Sequence, residues 1–238
     1  MSTQPFSGEV ALVTGASRGI GAATAIALAA AGAHVILTAR DARALEEIEE
    51  RIHEAGGTAT IAPVDLAEPD GIARLASAVL QRWERLDILV INAALLPQLG
   101  PVTDIDQSAF NKALTVNVLA TQALLANFSP LLRKSPNGRV IGITSSVATT
   151  PRAYWGAYAA SKAAFEVLLD CYAQEVQNIS KVRVAIVNPG ATRTTMRARA
   201  YPGEDPATLK TPDVVADRLV TLLGEPFATR HREDVNQA

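Results

Sequence analysis

The feature that most limits the fold of this sequence is a sixfold alternation of short apolar segments with longer helical segments. The short segments are apolar throughout, which is typical of parallel strands covered by helices on both faces. The predicted strands are residues 10–14, 34–39, 58–64, 86–91, 138–144 and 182–187. The predicted helices are residues 19–31, 42–55, 69–83, 106–132, 156–177 and 213–223. We therefore expect one α/β domain over residues 1–238, with a doubly wound parallel sheet and helices on both faces.

The end of the chain departs from this alternation. Residues 224–238 contain no apolar segment long enough to form a buried strand. The sequence therefore predicts six strands and leaves a seventh strand unsupported.

Composition excludes several classes of partner. With 22 basic and 24 acidic residues, the net charge of −2 gives no basic surface for nucleic acid or an anionic membrane. The single cysteine, Cys171, excludes an internal disulfide, and the first residues show no secretion signal, so we expect a cytoplasmic protein. No apolar run approaches the ~20 residues needed to span a bilayer. The histidines, His34, His53 and His231, are far apart, so no metal site is expected.

A glycine-rich turn follows the first strand and opens the first helix. Glycine permits a sharp turn and close backbone approach to a pyrophosphate, whose charge a helix N-terminus stabilises. The spacing is Gly-x-x-x-Gly-x-Gly, and a tight turn alone would also explain it. Its position between a strand and a helix favours a dinucleotide site. The candidate cofactor residues of this turn are Gly15, Ser17, Arg18, Gly19, Ile20 and Gly21.

The end of the second strand indicates which dinucleotide is bound. An acidic residue there would bind a free ribose 2′-hydroxyl, but the position is Ala39, followed by Arg40. Arg40 and Arg18 can both pair with a 2′-phosphate, so NADP(H) is favoured over NAD(H). Asp41 is the argument against this choice, although we expect it to cap the following helix.

Tyr158 and Lys162 lie four residues apart near the start of a predicted helix, so both project from one face. A phenol with an ordinary pKa near 10 exchanges protons poorly at neutral pH. A neighbouring ammonium group would lower that pKa and make Tyr158 a candidate general acid and base.

Together with the glycine turn, this pair resembles the short-chain dehydrogenase/reductase family, over about residues 8–223. Other motifs follow in the family's order: Asp65, Asn92-Ala93, Asn117, Ser145 and Pro189-Gly190. The resemblance implies a Rossmann-like fold and an NAD(P)-dependent oxidoreductase that interconverts a ketone and a secondary alcohol by hydride transfer. A non-catalytic NADP(H)-binding regulatory protein on the same fold is the alternative.

The resemblance also implies the catalytic roles. Tyr158 would be the general acid in carbonyl reduction and the base in alcohol oxidation, and Lys162 would lower its pKa and hold the nicotinamide ribose. Asn117 would hold a water that links Lys162 to solvent. Ser145 would donate a hydrogen bond to the substrate oxygen; it lies 13 residues before Tyr158, as in the family. Ser146 remains an alternative, because an apolar residue follows it.

Further cofactor contacts are implied in the same way. Asp65 and Leu66 would contact adenine, although Asp65 could instead cap the next helix. Asn92 and Ala93 match a family motif, in which Ala94 replaces a usual glycine. The residues expected to bind the carboxamide group of the nicotinamide are Pro189, Gly190, Thr192 and Thr194.

Residues 195–210 interrupt the strand–helix pattern, and the resemblance implies that they cover the substrate. Arg193, Arg197 and Arg199 indicate an anionic or acyl-carrier-like substrate, although a solvated surface explains them equally well. The expected pocket walls are Leu95, Leu96, Ala153, Tyr154 and Trp155, although Leu95, Leu96 and Trp155 fit the core equally well. Helices 106–132 and 156–177 would form the family's dimer face, so a homodimer or homotetramer is expected, a tetramer only if the seventh strand exists.

Overall fold

The chain forms a parallel sheet between two layers of helices, as a computed structural model describes it for residues 4–235. The strands are β1 Val10–Thr14, β2 His34–Thr38, β3 Thr58–Ile61, β4 Ile88–Ile91, β5 Arg139–Ile143, β6 Arg183–Asn188 and β7 His231–Asp234. The helices are α1 Gly19–Ala30, α2 Ala42–Glu54, α3 Gly71–Trp83, α4 Gln107–Leu114, α5 Ala120–Lys134, α6 Gly156–Gln177, α7 Thr195–Ala200 and α8 Pro212–Gly224. The termini of the predicted range 1–238, residues 1–3 and 236–238, lie outside the described residues.

The strand order is β3-β2-β1-β4-β5-β6-β7, and every neighbouring pair is parallel. The order reverses between β1 and β4, so the connections that leave these strands run to opposite sides. A crevice forms at the carboxyl ends of strands at such a point, which is where doubly wound sheets bind ligands. The doubly wound fold expected from the sequence is confirmed.

Two apolar cores hold the helices against the sheet. One face packs α1, α2 and α8 through buried side chains such as Leu28, Leu45 and Leu219. The other face packs α3, α5 and α6 through side chains such as Leu124 and Leu169. Burial of β1, β2, β4, β5 and β6 on both faces explains why their sequences are largely apolar rather than alternating.

The seventh strand, which the sequence left unsupported, is present as β7. It pairs with β6 in register, with Ile186 opposite Arg232. Its four residues are polar because it is an edge strand, whose stability comes from main-chain hydrogen bonds and ion pairs. Arg232 donates to the Glu166 carboxylate at 2.6 Å, and Arg218 donates to Glu233 at 2.9 Å. Hydropathy alone cannot reveal a strand of this kind.

The predicted helix 106–132 contains a π-helical turn, Thr115–Leu119, between α4 and α5. Asn117 lies in the middle of this turn and is 1% exposed. Turns of this kind occur in α-helices mostly as single insertions and frequently at functional sites. The turn therefore supports a special role for Asn117.

Residues 195–210 form a short cover over the carboxyl ends of the strands. The segment contains α7 and a 3₁₀ turn, Pro206–Thr208, and it ends where Lys210 forms a bridge with Thr192. Arg197 and Glu204 hold it together with two hydrogen bonds of 2.6 and 2.5 Å. Within residues 4–235, no helix is both long enough and apolar enough to cross a membrane.

Candidate active site

The glycine turn has the geometry that a dinucleotide pyrophosphate requires. Gly15 and Gly19 have φ values of +67° and +57°, which favour glycine. A Cβ atom at Gly21 would lie 2.3 Å from the Gly15 carbonyl oxygen, so only glycine fits there. Arg18 precedes α1 without a side-chain cap, which leaves the first N–H groups of the helix for an anion. These residues, with the partly buried Ser17 and Ile20, fit a dinucleotide.

Thr14 and Asn92 hold this turn against the end of β4. The Thr14 hydroxyl accepts hydrogen bonds from the main-chain N–H groups of Asn92 at 2.9 Å and Ala93 at 3.0 Å. The Asn92 side-chain amide donates to the Thr14 carbonyl oxygen at 2.9 Å. Asn92 and Ala93 thus fix the shape of the turn through contacts with protein groups.

Arg18 and Arg40 are exposed, and neither pairs with a carboxylate within residues 4–235. Arg40 lies two residues beyond β2, where the ribose of a dinucleotide is expected. Asp41 accepts a hydrogen bond from the main-chain N–H of Ala44 at 3.2 Å. Asp41 therefore caps α2, as the sequence predicted, and the two arginines keep their charge available for a phosphate.

Asp65 and Leu66 follow β3. Asp65 accepts a hydrogen bond from the Ala67 N–H at 3.0 Å and so caps the turn that precedes α3. The N-cap position of α3 is Asp70, whose side chain makes no capping hydrogen bond, so Asp65 does not cap that helix. Leu66 lines a cavity of about 310 Å³ between α3 and α5.

Tyr158 lies in the first turn of α6 and borders a cavity of about 450 Å³. Its side chain packs against the Trp155 ring at a centroid distance of 6.0 Å, and only 6% of it is exposed. The phenol oxygen lies 4.0 Å from the sulfur of Met196, in α7. Burial raises the pKa of the Tyr158 phenol above its usual value.

Lys162 lies one helical turn beyond Tyr158 and is 2% exposed. Its ammonium group donates to the Ile143 carbonyl oxygen at 2.7 Å and lies 4.3 Å from the Phe165 ring centroid. Burial lowers the pKa of Lys162 to about 7, while the carboxylate of Glu166 acts in the opposite direction. The charge of this lysine is therefore sensitive to its neighbours near neutral pH.

Asn117 connects three parts of the site. Its side-chain oxygen accepts from the Leu95 N–H at 2.8 Å. Its amide nitrogen donates to the Leu95 carbonyl oxygen and to the Ser161 hydroxyl, both at 2.9 Å. Ser161 lies between Tyr158 and Lys162, so Asn117 ties the π-helical turn and the loop after β4 to the helix that carries both residues.

The two candidate serines have different surroundings. Both border the cavity with Tyr158. The Ser146 hydroxyl accepts a hydrogen bond from Arg152 at 3.4 Å. The Ser145 hydroxyl has no hydrogen-bond partner within the part of the chain that the structure describes. This difference leaves Ser145 available to a substrate.

Residues 188–194 form the wall of the cavity that meets the glycine turn. Thr194 caps α7 by accepting from the Arg197 N–H at 3.1 Å. A Cβ atom at Gly19 would lie 3.4 Å from the methyl group of Thr194, so this segment and the turn are in contact. Thr192 donates to the Pro189 carbonyl oxygen at 3.2 Å, and Gly190 has a φ of +64°.

The cavity brings together seven of the predicted site residues: Ile20, Ser145, Tyr158, Pro189, Gly190, Thr192 and Thr194. Of the expected pocket walls, Leu96 and Trp155 border it, whereas Leu95, Ala153 and Tyr154 do not. Of Arg193, Arg197 and Arg199, only Arg197 borders it, and Glu204 pairs with that charge. Within residues 4–235, no cluster of side chains could hold a metal ion.

Sequence reasoning missed three charged residues at this site. Arg152 and Asp234 border the cavity. Glu166 is 6% exposed and accepts from the Thr144 hydroxyl at 2.6 Å, next to Ser145. Glu166 could have been predicted from the sequence, because a spacing of four residues places it beside Lys162 on one face of the helix. The other two positions depend on loops and on β7, which have no local signature.

Comparison with known proteins agrees with this geometry. Residues 9–205 match the family model described as short chain dehydrogenase. The oxidoreductase YciK of Escherichia coli strain K12, described as uncharacterized, is 38% identical over 220 residues, which cover 91% of this chain and 86% of that protein. A fatty acyl-CoA reductase of Acinetobacter baylyi is 34% identical over 214 residues, covering 90% of this chain and 72% of the relative.

Solved structures of similar proteins superpose closely on this chain. A short chain dehydrogenase of Shigella flexneri 2a, complexed with NADP, superposes with a TM-score of 0.94 at 36% identity, covering 99% of this chain and 100% of that one. One from Escherichia coli CFT073, complexed with NADPH, gives 0.92 at 37% identity, covering 99% of each chain. The fold and site define a dinucleotide-dependent oxidoreductase. The chain belongs to the short-chain dehydrogenase/reductase family.

Proposed function

We propose that this protein is an NADP(H)-dependent oxidoreductase that interconverts a ketone and a secondary alcohol, with Tyr158 as general acid and base. The observation that carries the proposal is the cavity itself. Tyr158 borders it together with the segment 188–194, and Lys162 is buried one helical turn away. The cavity is large enough for a nicotinamide ring and a small carbonyl compound.

NADP(H) is proposed because Arg18 and Arg40 are exposed cations without carboxylate partners within residues 4–235. A 2′-phosphate satisfies both through charge-assisted hydrogen bonds. The glycine turn would hold the pyrophosphate, with Asp65 and Leu66 on the adenine side and Thr192 and Thr194 at the carboxamide. The NADP and NADPH in the two superposed structures also support this choice.

The chain's own residues would organise the proton transfer. When bound, the nicotinamide supplies or accepts the hydride. Tyr158 gives its phenolic proton to the carbonyl oxygen in reduction and takes it back in oxidation, so the ketone gains one hydride and one proton. Burial raises the pKa of Tyr158. The positive charge of the Lys162 ammonium group would act in the opposite direction and lower that pKa. Ser145 donates a hydrogen bond to the same oxygen, where negative charge develops.

Asn117 would act by positioning. Its hydrogen bonds with Leu95 and Ser161 keep the π-helical turn and the catalytic face of α6 together. This arrangement is compatible with a water linking Lys162 to solvent, which is the role implied by the resemblance. A homodimer through α5 and α6, or a homotetramer that also uses β7, is part of the proposal, since Leu119, just before α5, and Val167, on α6, expose 61% and 60% of their surface. A cytoplasmic location agrees with the single cysteine.

The test of the proposed function is turnover of NADPH and NADH across a panel of ketones, quinones and acyl thioesters. We expect NADPH oxidation with at least one ketone and a preference over NADH of ten-fold or more (on the order of one charge-assisted contact). A decisive preference for NADH would refute the roles of Arg18 and Arg40. Tight NADPH binding without turnover on any compound would instead support the regulatory alternative.

A further inference from the structure

Arg152 is an exposed residue that borders the cavity and brings a positive charge to it. Its guanidinium donates to the Ser146 hydroxyl and to the Tyr201 hydroxyl, both at 3.4 Å. These are long hydrogen bonds to neutral groups, and no carboxylate pairs with Arg152 within residues 4–235. A guanidinium has five N–H donors, so most of them remain available to a ligand.

The other charged groups that border the cavity are compensated. Arg197 forms a two-point ion pair with Glu204, and its guanidinium lies 3.7 Å from the Tyr201 ring centroid. Asp234 accepts from the Asn188 amide at 2.8 Å, and its charge acts on the ammonium group of Lys210. Among the described residues that border the cavity, Arg152 is therefore the charged group whose charge remains available to a ligand.

The turn that carries Arg152 is held in place. Tyr154 adopts a φ of +73°, a conformation that residues other than glycine rarely adopt. Its carbonyl oxygen accepts from the Gly100 N–H at 3.0 Å, and the Trp155 N–H donates to the Arg152 carbonyl oxygen at 3.2 Å. Backbone strain that the surroundings maintain is a feature of ligand-binding sites. The turn therefore fixes the backbone that carries Arg152, while the side chain itself is exposed and can reach a ligand.

Apolar and hydroxyl groups surround the cation. Trp155, between Arg152 and Tyr158 in the chain, packs against the Tyr201 ring at a centroid distance of 5.8 Å. The Ser146 and Tyr201 hydroxyls that now accept from Arg152 can rotate and donate to an anion in its place. A carboxylate or phosphate at this point would receive a bidentate contact from Arg152 and two further donors.

We infer that the substrate carries an anionic group, a carboxylate or a phosphate, which Arg152 binds while the carbonyl oxygen of the substrate faces the Tyr158 hydroxyl. This inference rests on the proposed function and adds the class of substrate to it. Both groups lie in the same cavity of about 450 Å³, so the anion and the carbonyl belong to one compact end of the substrate. Ser146 then binds the anionic group of the substrate, whereas Ser145 donates a hydrogen bond to the carbonyl oxygen.

The experiment compares matched substrates that differ only in charge. NADPH oxidation is measured with 2-, 3- and 4-oxo carboxylates against their methyl esters, and with hydroxyketone phosphates against the free hydroxyketones. We expect kcat/KM for one charged series to exceed that of its neutral partners by about ten- to a hundredfold, as for a hydrogen-bonded charge pair. The first series identifies a carboxylate as the recognised group and the second a phosphate.

Variants assign the preference to Arg152. Arg152→Gln should reduce the charged-to-neutral ratio of kcat/KM to about one, and Arg152→Lys should retain part of it. Arg199→Gln is the matched control, because Arg199 lies on α7 outside the cavity lining and should leave the ratio unchanged.

Two outcomes overturn the inference while the proposed function stands. One is equal turnover of charged and neutral substrates by the wild type, and the other is a ratio that Arg152→Gln does not change. Absence of NADPH oxidation with every charged and neutral compound overturns both the inference and the proposed function.

Discussion

The replacement Glu166→Gln tests whether the catalytic lysine depends on a buried carboxylate. Glu166 lies one helical turn beyond Lys162, and its two oxygens accept hydrogen bonds from Thr144 and Arg232, both at 2.6 Å. Glutamine keeps the size of the side chain and removes its negative charge. Because that charge favours the ammonium form of Lys162, the variant should have a Lys162 of lower pKa.

The size of the effect follows from the geometry. Residues four apart on a helix have Cβ atoms about 6 Å from each other, and two unit charges at about 6 Å interact by about 3 kcal/mol at an effective dielectric constant of 20. Arg232 keeps its charge in the variant, so its own effect on Lys162 cancels from the difference. A charge separation of about 12 Å, twice that of the Cβ atoms, gives a lower bound of ~1.4 kcal/mol, which corresponds to about one pKa unit. The Lys162 pKa of about 7 should therefore fall by about one unit.

The assay is the pH profile of kcat/KM for NADPH at a saturating carbonyl substrate. If binding requires the ammonium form, lowering the pKa of Lys162 by one unit reduces that form about eightfold at pH 7.5 and by about a fifth at pH 5.5. The alkaline limb of the profile should move to lower pH by about one unit. Asp170→Asn is the control. It also removes a carboxylate that binds Arg232, but Asp170 lies one helical turn further from Lys162 than Glu166 does. A uniform loss at all pH values, or overlaid profiles, would refute the reasoning.

Three further changes test other parts of the structure. Arg40→Ala should raise the KM for NADPH about ten- to a hundredfold and leave that for NADH unchanged, measured by initial rates with each cofactor. Gly21→Ala should lower stability by about 1–3 kcal/mol and weaken NADPH binding, because the new methyl group meets the Gly15 carbonyl oxygen; denaturant unfolding and fluorescence titration check this. Arg139→Met should cost about 3–5 kcal/mol of unfolding free energy, since it leaves the carboxylate of Glu9 without its ion-pair partner; Glu9→Gln in the same background should recover part of the loss.

Local patterns predicted the parts of this protein that local chemistry determines. The roles of Gly15, Gly19 and Gly21 could be predicted because each position needs a residue without a Cβ atom. Tyr158 and Lys162 were readable because a spacing of four residues places them on one helical face. Five of the six expected strands could be predicted because helices cover both of their faces, whereas β3 is only partly buried.

The remaining features depend on contacts between distant parts of the chain. Strand β7 is polar, and its Arg232 binds Glu166, 66 residues away. Arg152 borders the cavity because its turn brings it beside Ser146 and beside Tyr201, which lies in the cover. Asn117 was predicted as a site residue, but the π-helical turn around it has no sequence signal that distinguishes it from ordinary helix.

The most direct test of the proposed function combines turnover and cofactor binding in Tyr158→Phe. With the best ketone from the panel, we expect kcat to fall by about a hundredfold to ten-thousandfold, because the variant lacks the proton donor. The dissociation constant for NADPH, measured by fluorescence titration, should stay within about twofold of the wild type, since the phenyl ring keeps the packing against Trp155. Retained turnover in this variant, with NADPH bound normally, would contradict the assignment of Tyr158 as the general acid.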